Sequence, residues 1–396
     1  MCNRPLVLKI FEGFSIERWN DLVRPFELVE MDKTAEKTVL AYIIGKMEEK
    51  RGIFIDWNRI IYGSFFDLLR KIALCDIKSP VQRMIREQYP EEYIKLNEWV
   101  IDQYRSVLPE DGILDMFSSY VLDKPNQSDC TWRVLRAAHK FSTLREVEML
   151  RMVNEPSRLV SIDAFINADI QEFLDLRAMQ LLMTKQQPYA FIMEIERLRF
   201  QTRWNQTPRV PRTSVLGHSY FVAAMTLLMS RELNLSSCRL YNNFFSALFH
   251  DLPEAVTRDI ISPVKQATDH LPHIVKEIED IIVEQELIPL MDESFRDEIL
   301  YFTNNEFENR IRSGSGESTI VSAEELNSRY DRFEFHPVDG KLVRAADHIA
   351  AFIEADSSIN YGITSKHLVE GRKNILSLYP AGKLVNSLDV SSFFCE

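Results

Sequence analysis

The stretch NNFFSALFHDLPEAVTRDIISPVK, residues 242–265, carries an adjacent His250-Asp251 pair at the end of an apolar run. Phe244, Phe245, Leu248 and Phe249 recur at the spacing of a helix with one buried face. Similar spacing frames His218 in SVLGHSYFVAAMTLLMS (214–230) and Asp347 in KLVRAADHIAAFIEA (341–355). A carboxylate held against such faces is costly unless it is paired or coordinated. Helical spacing also marks 39–47, 65–74, 170–183 and 221–233, whereas alternating runs are few and short. With 12 glycines and 16 prolines in 396 residues, there is little material for many tight turns. The expected fold is all-α. The most irregular segment, around 311–340, contains SGSGEST and reads as a polar lid or loop between helices.

Three short matches recur in the same order along the chain. RWNDLVR at 18–24 returns as RWNQTPR at 203–209, and DIKSPV at 76–81 returns as DIISPV at 259–264, offsets of 183 to 185 residues. LRAAH at 135–139 is echoed by VRAAD at 343–347, shifted further as by an insertion. A tandem duplication is expected, with helical domains over 1–170 and 185–396 and 170–183 as a connecting helix. In these registers His218 corresponds to Lys33, His250-Asp251 to Asp67-Leu68, Glu254 to Lys71 and Asp347 to His139. The first copy therefore lacks the ligand chemistry of the second.

The apolar fraction of 45% with 27% charged residues is that of a soluble globular chain. The net charge of −12 argues against extended nucleic-acid binding, which needs clustered Lys and Arg. It leaves room for a local basic pocket. Five scattered cysteines without a CxxC pair favour a reducing compartment. The first twenty residues are charged too early and too often for a secretory signal. No stretch reaches the roughly 18 apolar residues of a membrane helix. A cytoplasmic protein with no membrane association is expected.

His218, His250, Asp251 and Asp347 form a mixed nitrogen and oxygen set suited to one divalent metal ion: Mn, Co, Fe, Ni, Zn or Mg. A lone helical His is usually structural. It is the ordered set, a His, then His-Asp, then Asp, each in a helix, that points to a metal. This pattern resembles the HD-domain superfamily of metal-dependent phosphohydrolases, and within it the 5′-deoxynucleotidase-like branch. The flanking Arg203-Trp204 pair, the HDxxE segment and RAADHIAAF carry that closer resemblance. Gly217 departs from it, because an acidic residue commonly precedes the first His in related sequences.

The resemblance covers about 195–360 directly and, through the internal repeat, implies tandem HD-type domains with the N-terminal one degenerate. It implies hydrolysis of a phosphomonoester on a small phosphorylated metabolite, a (deoxy)nucleoside 5′-monophosphate in the leading reading. A nucleoside triphosphate or cyclic-nucleotide hydrolase, or a non-catalytic nucleotide-binding regulator, is the alternative. Glu254 and Asp251 are the expected catalytic residues; Glu254 would sit one turn past His250 on a continuous helix, unless Pro253 starts a new one. Arg203, Trp204, Asp259 and Lys265 are the expected substrate-binding residues, with Arg209 and Arg212 as further cations. His270 and His273 read as an exposed helix start, with a second metal as the less favoured role. The resemblance also implies a homodimer, which a duplicated chain could imitate internally.

Overall fold

The computed structural model describes residues 3–75, 77–123, 126–258, 268–314 and 316–394. The helices are α1 Arg4–Phe11, α2 Glu30–Lys50, α3 Trp57–Leu74, α4 Ser79–Gln88, α5 Pro90–Asp102, α6 Ile113–Leu122, α7 Cys130–Leu150, α8 Pro156–Gln171, α9 Arg177–Met183 and α10 Gln187–Phe200. They continue as α11 Val215–Glu232, α12 Ser237–Phe249, α13 Glu254–Thr257, α14 Leu271–Ile282, α15 Arg296–Thr303, α16 Ala323–Glu325, α17 Gly340–Asn360 and α18 Lys366–Leu378. The chain is all-α apart from a few very short strands.

Side-chain caps place the helices that matter most. Ser214 accepts from the Gly217 amide at 2.8 Å to start α11, and Ser236 accepts from the Arg239 amide at 3.2 Å to start α12. From Val215 to Ser230, α11 is buried on every side, as its nearly unbroken apolar sequence requires. The long helix α2 is almost as buried yet carries Glu30, Asp32, Lys33, Glu36 and Lys37 inside. Ion pairs make this tolerable: Arg18 with Glu30 at 2.6 Å, Arg199 with Glu36 at 2.8 Å, and Lys37 with Asp67. The larger apolar cluster draws on residues from Leu6 to Phe394, and Leu28, Met149 and Leu150 form a smaller one. Tyr42 of α2 packs against the second half of the chain, its ring 4.7 Å from Phe245 and 5.1 Å from Phe249.

Two local expectations change. The segment 170–183 is not one helix: α8 ends at Gln171 and α9 begins at Arg177. Tight turns, Phe173 N to Ile170 O and Leu176 N to Phe173 O, bury both apolar side chains between them. Apolar spacing of three suits such turns as well as a helix. The segment around 311–340 contributes to a small antiparallel sheet of β1 Asn309–Ile311, β2 Thr319–Ile320 and β3 Val338–Asp339, ordered β2-β1-β3. Arg310 pairs with Ile320 on one side and Val338 on the other. Strands of two or three residues are too short to show alternation.

Contacts recur between the two halves in the register of the sequence matches. The Arg18 amide donates to Leu28 O at 2.7 Å, and the Arg203 amide to Thr213 O at 3.1 Å. The Glu30 amide donates to Ile16 O, and the Val215 amide to Gln201 O, both at 3.0 Å. Trp19 and Trp204 both take a left-handed backbone, with φ of 56° and 53°. Each indole donates to a buried glutamate at 2.9 Å, Trp19 to Glu146 and Trp204 to Glu354.

Candidate metal centre

The Ser214 cap puts His218 one turn inside α11, its ring wholly buried. α12 stops at Phe249, and His250 is its C-cap. Pro253 lacks the amide that would continue the helix, so Asp251 lies in a turn and Glu254 opens the short α13. The continuous helix considered for His250 and Glu254 is therefore not formed; the Pro253 alternative holds. α17 supplies Asp347 and, two turns on, Glu354 on the same face.

These elements bring one ligand atom each from His218, His250 and Asp347 within 4.8 Å of one another. Asp251 stands beside them, Oδ1 at 3.3 Å from His250 Nε2 and Oδ2 at 4.0 Å from His218 Nε2. His250 Nδ1 faces the Ala247 carbonyl at 2.7 Å and must donate to it, which leaves the lone pair on Nε2. That buried Nε2 makes no hydrogen bond among the described residues. His218 Nδ1 faces Glu354 Oε1 at 3.2 Å and Nε2 faces Asp347 Oδ1 at 3.1 Å; with the ring proton on Nδ1, the Nε2 lone pair would be turned toward a cation held beside Asp347. Two imidazole lone pairs and a carboxylate converging in a buried place suit a divalent cation, so the donor set fits one.

Charge is concentrated here. Burial opposes ionisation of Asp347, but the His218 hydrogen bond and the His218 and Arg203 charges hold its carboxyl well below the usual range. Glu354 behaves alike: burial opposes its charge, and Arg203 with His218 outweighs the penalty. Burial and Arg203 disfavour protonated His218, yet the hydrogen bonds to Asp347 and Glu354 raise its pKa overall.

Of the residues singled out in the sequence, Arg203 reaches the centre, 3.4 Å from Asp251, 3.7 Å from Asp347 and 3.6 Å from Glu354. Trp204 adjoins it through Glu354 and lines a cavity of about 390 Å³ with Asn205, Arg212 and Ile363. Arg209 also borders this cavity, and its guanidinium donates to the carbonyls of Arg203, Pro211 and Thr213, bracing the turn. Asp259 and Lys265 lie outside the described residues. His270 and His273 sit at the exposed start of α14.

Sequence reading missed Glu354 and Arg344. Glu354 is 1% exposed and ties together His218, Trp204 and Thr213. Its signal was an acid inside the apolar frame AAFIEA, seven residues past Asp347. Arg344 lies 3.6 Å from Asp347 at the mouth, its guanidinium 4.4 Å from the Phe307 ring centre. Its place three residues before Asp347 was the available sign.

The family model described as an HD domain matches residues 195–376, a span that contains every residue of this centre. A 5′-deoxynucleotidase of Pectobacterium atrosepticum is 30% identical over 112 residues, which cover 27% of this chain. The chain spans about half, 54%, of that relative's length. Among the described residues, no helix is long and apolar enough to cross a membrane.

Proposed function

Residues 195–376 are an HD domain, and on that premise we propose that the protein is a metal-dependent phosphohydrolase acting on a nucleoside 5′-monophosphate, with a deoxynucleotide favoured. The observation that carries this is the convergence of His218, His250 and Asp347 around an unbonded, buried Nε2. His218, His250, Asp251 and Asp347 would hold the ion, which would supply Lewis acidity to acidify water and neutralise phosphoryl charge. The 5′-deoxynucleotidase relative supports the choice of a nucleotide.

The chain's own groups divide the remaining work. Burial opposes the Arg203 charge, Glu354, Asp251 and Asp347 favour it, and the last acid to add to them is Glu254 at the start of α13. Glu254 takes a proton from the attacking water and passes it to the leaving ester oxygen, while one P–O bond forms and another breaks. Arg203 and the half-exposed Arg344 neutralise the phosphoryl oxygens. Trp204, with the cavity beside it, receives the nucleoside. Asp259 as acceptor for a sugar hydroxyl and Lys265 as a phosphate contact complete the proposed set.

The N-terminal half is proposed as a degenerate HD-like domain over 1–170, serving the catalytic domain over 185–396. The recurring turn contacts support this. So does Lys33, whose Nζ stands 3.8 Å from Glu146, as His218 faces Glu354.

Chromatography of the products formed from nucleoside mono-, tri- and cyclic phosphates with Mn or Co tests the reading. Nucleoside and phosphate from monophosphates are expected. Turnover confined to triphosphates, or to ring opening of cyclic nucleotides into monophosphates, would favour those hydrolases. Retained nucleotide binding with no product from any of them would leave a regulator.

A further inference from the structure

The N-terminal half inverts the charge of the metal centre. In the C-terminal half, Asp251, Asp347 and Glu354 gather around Arg203 and call for a cation. At the matching place in the first half, cations are already attached to the chain. Lys33 lies at the bottom, its side chain 1% exposed, donating to Thr143 Oγ1 at 2.9 Å and His139 O at 3.3 Å. Glu146 below it also binds Arg18 at 2.9 Å and the Trp19 indole. Lys37 pairs with Asp67, whose carboxylate also feels Lys71 and Arg70.

Above them, Arg136, His139 and Lys140 share one face of α7 at spacings of three and four. These three and Lys71 are partly exposed, unlike Lys33 and Lys37 beneath them. The rim is aromatic: Arg136 lies 5.8 Å from the Trp132 ring centre, and Arg83 and Lys140 lie 4.3 and 5.3 Å from that of Phe165. The cations crowd one another. Burial, then Lys33, Arg136, Lys37 and Lys71, keep His139 uncharged well below its ordinary pKa, leaving a ring N–H to donate. Burial lowers Lys140 as well, with Arg136 and Arg83 opposing the Asp169 pair. An anion placed among them would relieve this repulsion and gain charge-assisted hydrogen bonds.

We propose that Lys71, Arg136, His139 and Lys140, above Lys33 and Lys37, bind a phosphate-bearing anion directly and without metal. The ligand is a phosphate dianion, either free or at the end of a nucleotide. The assignment stands on this cluster and is independent of catalysis in the other half.

Calorimetric titration of the full chain in excess chelator tests it, with inorganic phosphate, a nucleoside 5′-monophosphate and the bare nucleoside as probes. Both phosphate-bearing probes are expected to bind and the nucleoside is not. Tighter binding of the monophosphate would bring the aromatic rim into the site; equal binding would make it a site for phosphate alone. Arg136→Gln and Lys71→Gln, at half-buried positions, should each weaken binding by about 10-fold. Arg344→Gln, the matching change in the other half, should leave it intact. Circular dichroism confirms that the variants fold, and Arg136→Lys should retain much of the binding. Absence of binding in chelator, or binding lost in Arg344→Gln but kept in Arg136→Gln, would overturn the proposal.

Discussion

Asp32 Oδ1 stands 2.5 Å from the point that a β-carbon on residue 217 would occupy, so α2 and α11 meet where Gly217 has no side chain. Asp32 precedes Lys33 as Gly217 precedes His218, so equivalent positions of the two halves touch. The Asp32 carboxylate accepts from Ser214, the cap of α11, at 2.5 Å. A second acid at 217, which the family resemblance would lead one to expect, would force two buried carboxylates together. Gly217→Ala should cost about 1–3 kcal/mol through overpacking against Asp32 and Phe14. Denaturant unfolding measures this, and a variant as stable as the parent would refute the close contact.

Asp32 predicts a pH dependence. Burial pushes its carboxyl up to about 6, against the opposing pull of Arg199 and the Ser214 hydrogen bond. A raised folded-state pKa means that the unfolded chain gives up this proton more readily. The stabilising contribution of protonated Asp32 is thus full below about pH 4 and is lost as pH rises through about 6. Asp32→Asn should gain stability relative to the parent between pH 4 and 7, by on the order of 1–3 kcal/mol. Melting curves across that range give the comparison; a constant difference would contradict the assignment.

Glu354 should act through His218. Glu354→Gln keeps the volume and, with its one amide oxygen accepting from the Trp204 indole, turns an NH2 donor toward Thr213 and His218, so that it no longer favours the proton on Nδ1. Metal affinity is expected to fall about 10- to 100-fold. Competition titration with a chromophoric chelator reads this without reference to turnover. Unchanged affinity in a folded variant would leave Glu354 a purely structural acid.

His250→Ala removes a ligand atom, and Asp347→Asn removes the carboxylate charge and one of its two oxygens. Elemental analysis after dialysis should show less than stoichiometric metal, and phosphate release should be lost with it. Full metal content in both variants would place the ion elsewhere.

Residues 185–396 expressed alone should aggregate, because Tyr42 and the rest of α2 cover Phe245, Phe249 and α11. Size-exclusion chromatography distinguishes aggregate from fragment. A monodisperse fragment with full metal binding would show that the halves are independent.

Helical periodicity and the spacing of His218, His250-Asp251 and Asp347 were enough to indicate an all-α fold and a metal set, because both are written in local sequence. Repeated RW and RAA segments likewise foretold the recurring turns at Trp19 and Trp204. Other features depend on chain segments far apart. Glu354 gained its role only when α17 packed against α11 and aimed it at His218, across 136 residues. Arg209 is a brace for its own turn because the chain folds three carbonyls around the guanidinium. Gly217 became intelligible only beside Asp32. Local pattern records which face of a helix is apolar; what that face meets, and which charge waits there, is set by packing between elements.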